Sequence, residues 1–89
     1  MSNALGLISG SQYTVIKSFS DYYRILHPVG ETWTFVRSDF LPYEDGLTLF
    51  VIPENSAFEI SFHLQWRSEQ QGEIIDHFQD YVSLQNIKM

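Results

Sequence analysis

Six residues in the middle of the chain, Leu47–Ile52 (LTLFVI), are apolar on both faces of an extended backbone. Successive strand side chains point to opposite sides, so this run predicts a central strand covered on both faces. A chain of 89 residues builds one hydrophobic core around such a strand, which makes 1–89 a single domain. The flanking segments supply pairing partners. Thr32–Ser38 (TWTFVRS) sets Trp33 and Phe35 on one face and Thr32, Thr34 and Val36 on the other. Glu59–Trp66 (EISFHLQW) alternates most cleanly, with Ile60, Phe62, Leu64 and Trp66 inward and Glu59, Ser61, His63 and Gln65 on a wet face. Tyr13–Phe19 (YTVIKSF) is rich in β-formers and reads as a fourth strand.

The connections carry turn chemistry. Pro53-Glu54-Asn55-Ser56 joins the last two strands. Asp45-Gly46, within Pro42–Gly46 (PYEDG), is a hairpin signal because glycine accepts positive φ. Ser20–Gly30 (SDYYRILHPVG) has apolar residues at mixed spacing before a Pro-Val-Gly breaker, and a short helical turn or a loop fits it equally.

After Arg67 the period changes. Ser68-Glu69-Gln70-Gln71 matches a capping box. Ile74, Ile75, Phe78, Tyr81 and Val82 then fall within about 120° of a helical wheel. Gly72 weakens a second helical turn by about 1 kcal/mol, which allows a later start. The expected fold is α+β: a small antiparallel sheet of about four strands, strongly curled or barrel-like, with one C-terminal amphipathic helix.

The fourteen aromatics suit a packed core and argue against disorder, while the lack of cysteine excludes disulfides and thiolate metal sites. No apolar run approaches the roughly 20 residues that cross a bilayer. The start, MSNALGLISG, lacks the basic and long apolar regions of a signal peptide, and Ser2-Asn3-Ala4 looks like a scar of tag removal. Residues 1–10 are therefore expected to be flexible or tag-derived, and the protein cytoplasmic.

Charge is uneven. Three basic and two acidic residues up to Ser38 balance at +1, whereas nine acids against Arg67 and Lys88 beyond it balance at −7. A field of that sign repels nucleic acid and favours a basic protein partner. Glu69, Glu73, Asp76 and Asp80, spaced four, three and four apart, would share one helix face opposite the apolar stripe. No lysine or arginine sits at the offsets that would pair them, so a basic partner would relieve their repulsion. Glu44, Asp45 and Tyr43 of the turn extend this candidate partner-binding surface.

Catalytic and metal chemistry find little support. Adjacent acids in a turn do not alternate like the oxygen ligands of a calcium loop, and His27, His63 and His77 are too scattered for a metal centre. No nucleophile elbow or phosphate-binding glycine loop occurs, and no cofactor is expected.

Val29–Phe35 (VGETWTF) followed by Phe40–Val51 (FLPYEDGLTLFV) resembles an uncharacterised family of small bacterial domains. That family combines a Gly-Glu-x-Trp-x-Phe strand with a Pro-Tyr-Glu-Asp-Gly-Leu turn. The likeness extends over most of Tyr13–Val82, implies a stand-alone fold unit, and carries over no catalytic residue. By size, acidity and lack of cysteine the chain is also similar to the immunity proteins that neutralise bacterial toxins.

The leading expectation is a non-enzymatic, immunity- or antitoxin-like inhibitor docking an acidic surface on a basic toxin such as a nuclease. The alternative is a small-molecule-binding or structural accessory domain, with Trp33, Phe50, Phe62 or Trp66 lining an apolar pocket.

Overall fold

The computed structural model describes residues 5–67 and 69–85. Its elements are β1 (Gln12–Val15), β2 (Phe19–Ser20), β3 (Leu26–His27), β4 (Thr32–Leu41), β5 (Gly46–Pro53), β6 (Ile60–Gln65), α1 (Gly72–Asp76) and β7 (Val82–Leu84), with single 3₁₀ turns at Pro42–Glu44 and Phe78–Asp80. Five strands pair antiparallel in the order β6-β5-β4-β1-β7, and β2 and β3 form a separate two-stranded ribbon. The outer strands β6 and β7 do not meet, so the sheet stays open and is not a barrel. The fold is mostly β with little helix. Among the described residues, no helix is long and apolar enough to cross a membrane.

β5 is central, as its composition predicts, lying between β4 and β6. Leu47, Leu49 and Val51 on its inner face are wholly buried. The outer face is covered by side chains rather than a second layer: the Arg37 guanidinium sits 3.9 Å above the Phe50 ring. Trp33, Phe35, Phe62 and Leu64 join the inner face, and Leu5, Leu7, Phe19, Ile75, Phe78 and Tyr81 pack against it in one core. Residues 5–10, expected with the rest of 1–10 to be flexible or tag-derived, pack onto the fold through Leu5 and Leu7, which are buried in that core. Residues 1–4, with the scar-like Ser2-Asn3-Ala4, lie outside the described residues.

β4 is longer than expected and changes phase midway. A bulge between Phe35 and Arg37 shifts its register against β5. Before the bulge Trp33 and Phe35 point inward, and after it Phe40 does. A bulge inserts one residue and leaves its backbone groups without ladder partners. Here the Ser9 hydroxyl donates to the Val36 carbonyl at 2.7 Å, meeting one of them.

Two segments settle or depart from expectation. Ser20–Gly30 is mostly turn and loop, as one of the two expectations had it, with Ser20 and Leu26–His27 drawn into the short β2–β3 ribbon and no helical turn. Buried Asp21 makes the tight connection by accepting from the backbone N–H groups of Tyr23 (2.9 Å) and Ile25 (3.1 Å) through Oδ1. An aspartate that bonds backbone two residues ahead replaces helical hydrogen bonding with a turn.

The long C-terminal helix is corrected to five residues of α1. At His77 (φ −126°, ψ 33°) the backbone leaves the helical region, the next turn tightens to 3₁₀, and Val82–Leu84 pairs with β1. The apolar stripe did identify buried residues: Ile75, Phe78, Tyr81 and Val82 all enter the core, and Ile74 packs against it. The backbone differs because the open edge of β1 offers ladder bonds to Val82–Leu84, while α1 begins on a glycine. The Ser68 cap lies outside the described residues. Gln71 is the residue preceding α1, and its side chain turns inward instead of capping.

Candidate functional site

The turn Pro42–Gly46 is held rigidly against the end of β6. Pro42–Glu44 forms the 3₁₀ turn and Asp45, rather than Gly46, takes the left-handed conformation (φ 53°). Gly46 is needed for a different reason: a Cβ there would stand 2.7 Å from Cε1 of the cross-strand His63 ring. Trp66 N–H donates to the Asp45 carbonyl at 2.7 Å, and the Gln65 side-chain amide donates to the Glu44 carbonyl. Tyr43 projects from this clamped turn and is 91% exposed.

His63 is locked in place beside the turn. Its ring nitrogens lie 3.3 Å from Thr48 Oγ1 and 2.9 Å from Gln65 Oε1, so it is a structural member of the β6 surface. The connection between β2 and β3 crosses this strand, with Tyr22 N–H donating to the His63 carbonyl at 2.8 Å. The Tyr22 ring meets His63 edge-on at 5.4 Å and Tyr23 at 5.3 Å. Tyr22, Tyr23, Tyr43 and His63 thereby wall an open recess of about 440 Å³, completed by Glu44, Gln65, Arg67 and Gln70.

Arg67 joins this recess to a second one of about 370 Å³ that Trp66, Gly72, Glu73, Asp76 and His77 line. Trp66 was expected inside the core. It is instead 44% exposed, standing edge-on to Phe40 at 5.5 Å and donating through Nε1 to Asp76 at 2.9 Å. β6 ends at Gln65, so the alternation that buries Phe62 and Leu64 no longer governs residue 66. Ile60, also expected inside, is 48% exposed at the other end of the strand.

The seven expected partner-binding residues are therefore redistributed. Tyr43, Glu44 and Asp45 sit on one clamped turn, with Asp45 3.7 Å from Arg67 Nε. Glu73 and Asp76 share α1 and face the second recess. Glu69 lies before the helix and Asp80 in the following 3₁₀ turn, so the four carboxylates do not form one helical row. The contiguous surface carries Glu44, Asp45, Glu73 and Asp76 against Arg67. Sequence reasoning missed Tyr22, Tyr23 and Arg67, and placed Trp66 in an apolar interior rather than on this surface. An adjacent tyrosine pair in a segment with no clear period was the available signal.

Of the residues expected to line an apolar pocket, Trp33, Phe50, Phe62 or Trp66, only Trp66 does so, in a recess of about 220 Å³ shared with Phe40, Ile75 and Asp76. Trp33 and Phe62 pack together in the core at 6.0 Å, Phe50 lies under Arg37 on the outer face, and Trp66 stands at the strand end.

A second polar cluster is internal. His27, expected in a loop, is buried on β3, with Nε2 3.0 Å from Asp21 Oδ2 and Nδ1 2.9 Å from Glu31 Oε2. Its ring stacks on Phe19 at 4.8 Å and lies 4.4 Å from Phe62. The ring donates to one carboxylate in either tautomer and to both only when doubly protonated. Among the described residues, no group of three or more histidines and acids is arranged to hold a metal ion.

Comparison with known proteins supports the fold and names no activity. A solved structure with 36% sequence identity superposes with a TM-score of 0.86, covering 96% of this chain and 92% of the other. It is an integron cassette protein, VCH_CASS4, from the mobile metagenome of Vibrio cholerae. No curated protein matches the chain. Residues 3–86 match a family model described as a domain of unknown function. The chain belongs to that family, DUF3601.

Proposed function

We propose that this domain is a non-enzymatic protein-binding module, an immunity- or antitoxin-like inhibitor that docks on a basic toxin domain such as a nuclease. One observation carries the reading: exposed Tyr43, Tyr23 and Trp66 lie on a contiguous surface bearing Glu44, Asp45, Glu73 and Asp76. Aromatic anchors among carboxylates are what binding to a basic partner draws on. The aromatics supply affinity by burying rigid area, and the charges speed encounter and exclude wrong partners. The His27 cluster, which most resembles a catalytic relay, is enclosed by Phe19 and Phe62 and plays no part in this reading.

The test is association of the purified partner, first recovered by cross-linking from the native host, at low and high salt. A variant combining Glu44→Gln, Glu73→Gln and Asp76→Asn is expected to associate roughly tenfold more slowly at low salt. Asp80→Asn, outside the two recesses, is expected to change the rate far less. Association insensitive both to salt and to the triple substitution refutes the proposal.

A further inference from the structure

We infer that the recess walled by Tyr22, Tyr23 and Tyr43 receives an arginine side chain of the basic partner. This inference rests on the protein-binding reading and assigns it a point of contact. Tyr22 and Tyr23 meet nearly perpendicularly (78°), forming an aromatic corner, and Tyr43 rises across the recess from the clamped turn. A flat guanidinium stacks on tyrosine faces and at the same time forks its N–H donors toward a carboxylate. Glu44 supplies that carboxylate, and it makes no ion pair among the described residues. Arg67 also lines the recess, and Asp45 at 3.7 Å offsets part of its charge.

The recess is preorganised for such a guest. His63 and Gln65 spend their side-chain hydrogen bonds on Thr48, on each other and on the Glu44 carbonyl, so the floor is already satisfied. Tyr22 is anchored through its backbone to the His63 carbonyl. An ammonium would satisfy Glu44 equally well but leaves the flat aromatic corner underused. Arginine is therefore preferred over lysine.

The experiment is titration of the full chain with a short arginine-rich peptide and its lysine counterpart, followed by amide NMR shifts. The arginine peptide is expected to shift Tyr22, Tyr23, Tyr43, Glu44 and Gln70, and to bind several-fold more tightly than the lysine peptide. Tyr43→Ala is expected to weaken it by about two- to fivefold. Glu44→Gln, which preserves the turn, is expected to weaken it by a similar factor. Unchanged shifts at core amides such as Leu49 and Phe78 establish that each variant is folded. Equal affinity for both peptides, or shifts confined to Glu73 and Asp76, overturns the arginine recess and leaves the acidic-surface reading standing. No response to either peptide anywhere overturns both.

Discussion

Removing the His27 ring tests the most buried polar arrangement among the described residues. His27→Ala deletes a side chain packed between Phe19 and Phe62, a loss of about 1–2 kcal/mol in burial and packing. It also strips Asp21 Oδ2 of its partner while Asp21 is 2% exposed. A stranded buried acceptor costs about 1–3 kcal/mol. The lower part of that range applies here. Asp21 Oδ1 keeps the Tyr23 and Ile25 N–H donors, and Glu31, at 27% side-chain exposure, turns to water. The expected total is about 3 kcal/mol, against a stability of roughly 4–13 kcal/mol for a domain of this size.

Urea unfolding followed by far-ultraviolet circular dichroism measures this, and a double-mutant cycle with Asp21→Asn isolates the Asp21–His27 contact. Asparagine keeps Oδ1 as acceptor for the two backbone donors and turns its amide toward His27, so Asp21→Asn alone costs about 1 kcal/mol. In that background His27→Ala no longer strands a carboxylate, and its cost should fall by about 1–2 kcal/mol. Costs that add within about 0.5 kcal/mol would refute the coupling, and with it the view that His27 is retained for Asp21.

Two further outcomes follow from single contacts. Gly72→Ala places a Cβ 2.9 Å from the Arg67 carbonyl oxygen, which is backbone and cannot swing aside. The raised helix propensity is therefore outweighed, and thermal unfolding should register a net loss of about 1–3 kcal/mol. Gln71→Ala removes the side chain that accepts from Gln65 N–H at 3.0 Å and reaches the Asp21 carbonyl. It should cost about 1–3 kcal/mol, and hydrogen exchange at Gln65 should accelerate before the rest of β6; unaltered protection there contradicts the assignment.

The core was legible wherever a period of two was expressed inside a sheet. Leu47, Leu49, Val51, Trp33, Phe35, Phe62 and Leu64 were all foreseeable, because alternation reports which face of a strand is buried. The C-terminal segment shows the limit of periodicity. Ile75, Phe78, Tyr81 and Val82 satisfy a helical wheel and are indeed buried, yet only α1 is helical. What decides the backbone of Val82–Leu84 is the open edge of β1, some seventy residues earlier in the chain. No local pattern carries that information. The bulge after Phe35 was hidden for a related reason, since a phase change in β4 is visible only against the register of β5.

The candidate site was legible as chemistry but not as an assembly. Acids and a turn tyrosine were identifiable from charge balance and turn signals, whereas their aromatic neighbours come from a ribbon that folds across β6. The physical cause is a set of small clamps. Gln65 ties the Glu44 carbonyl, Trp66 N–H ties Asp45, Gln71 ties the end of β6 to Asp21, and Tyr22 N–H ties the ribbon to His63. Each bond spans elements that local sequence treats as separate. Together they fix exposed tyrosines on short turns, which would otherwise lose conformational freedom on binding. A side chain already held in place has less entropy to lose when a partner covers it, so affinity rises without any added contact. Loosening a clamp should therefore weaken binding even where no contact residue is altered. Gln65→Ala is the substitution that separates the two effects: it leaves Tyr43 and Glu44 intact but frees their turn, and it should raise the dissociation rate rather than alter the salt dependence of association.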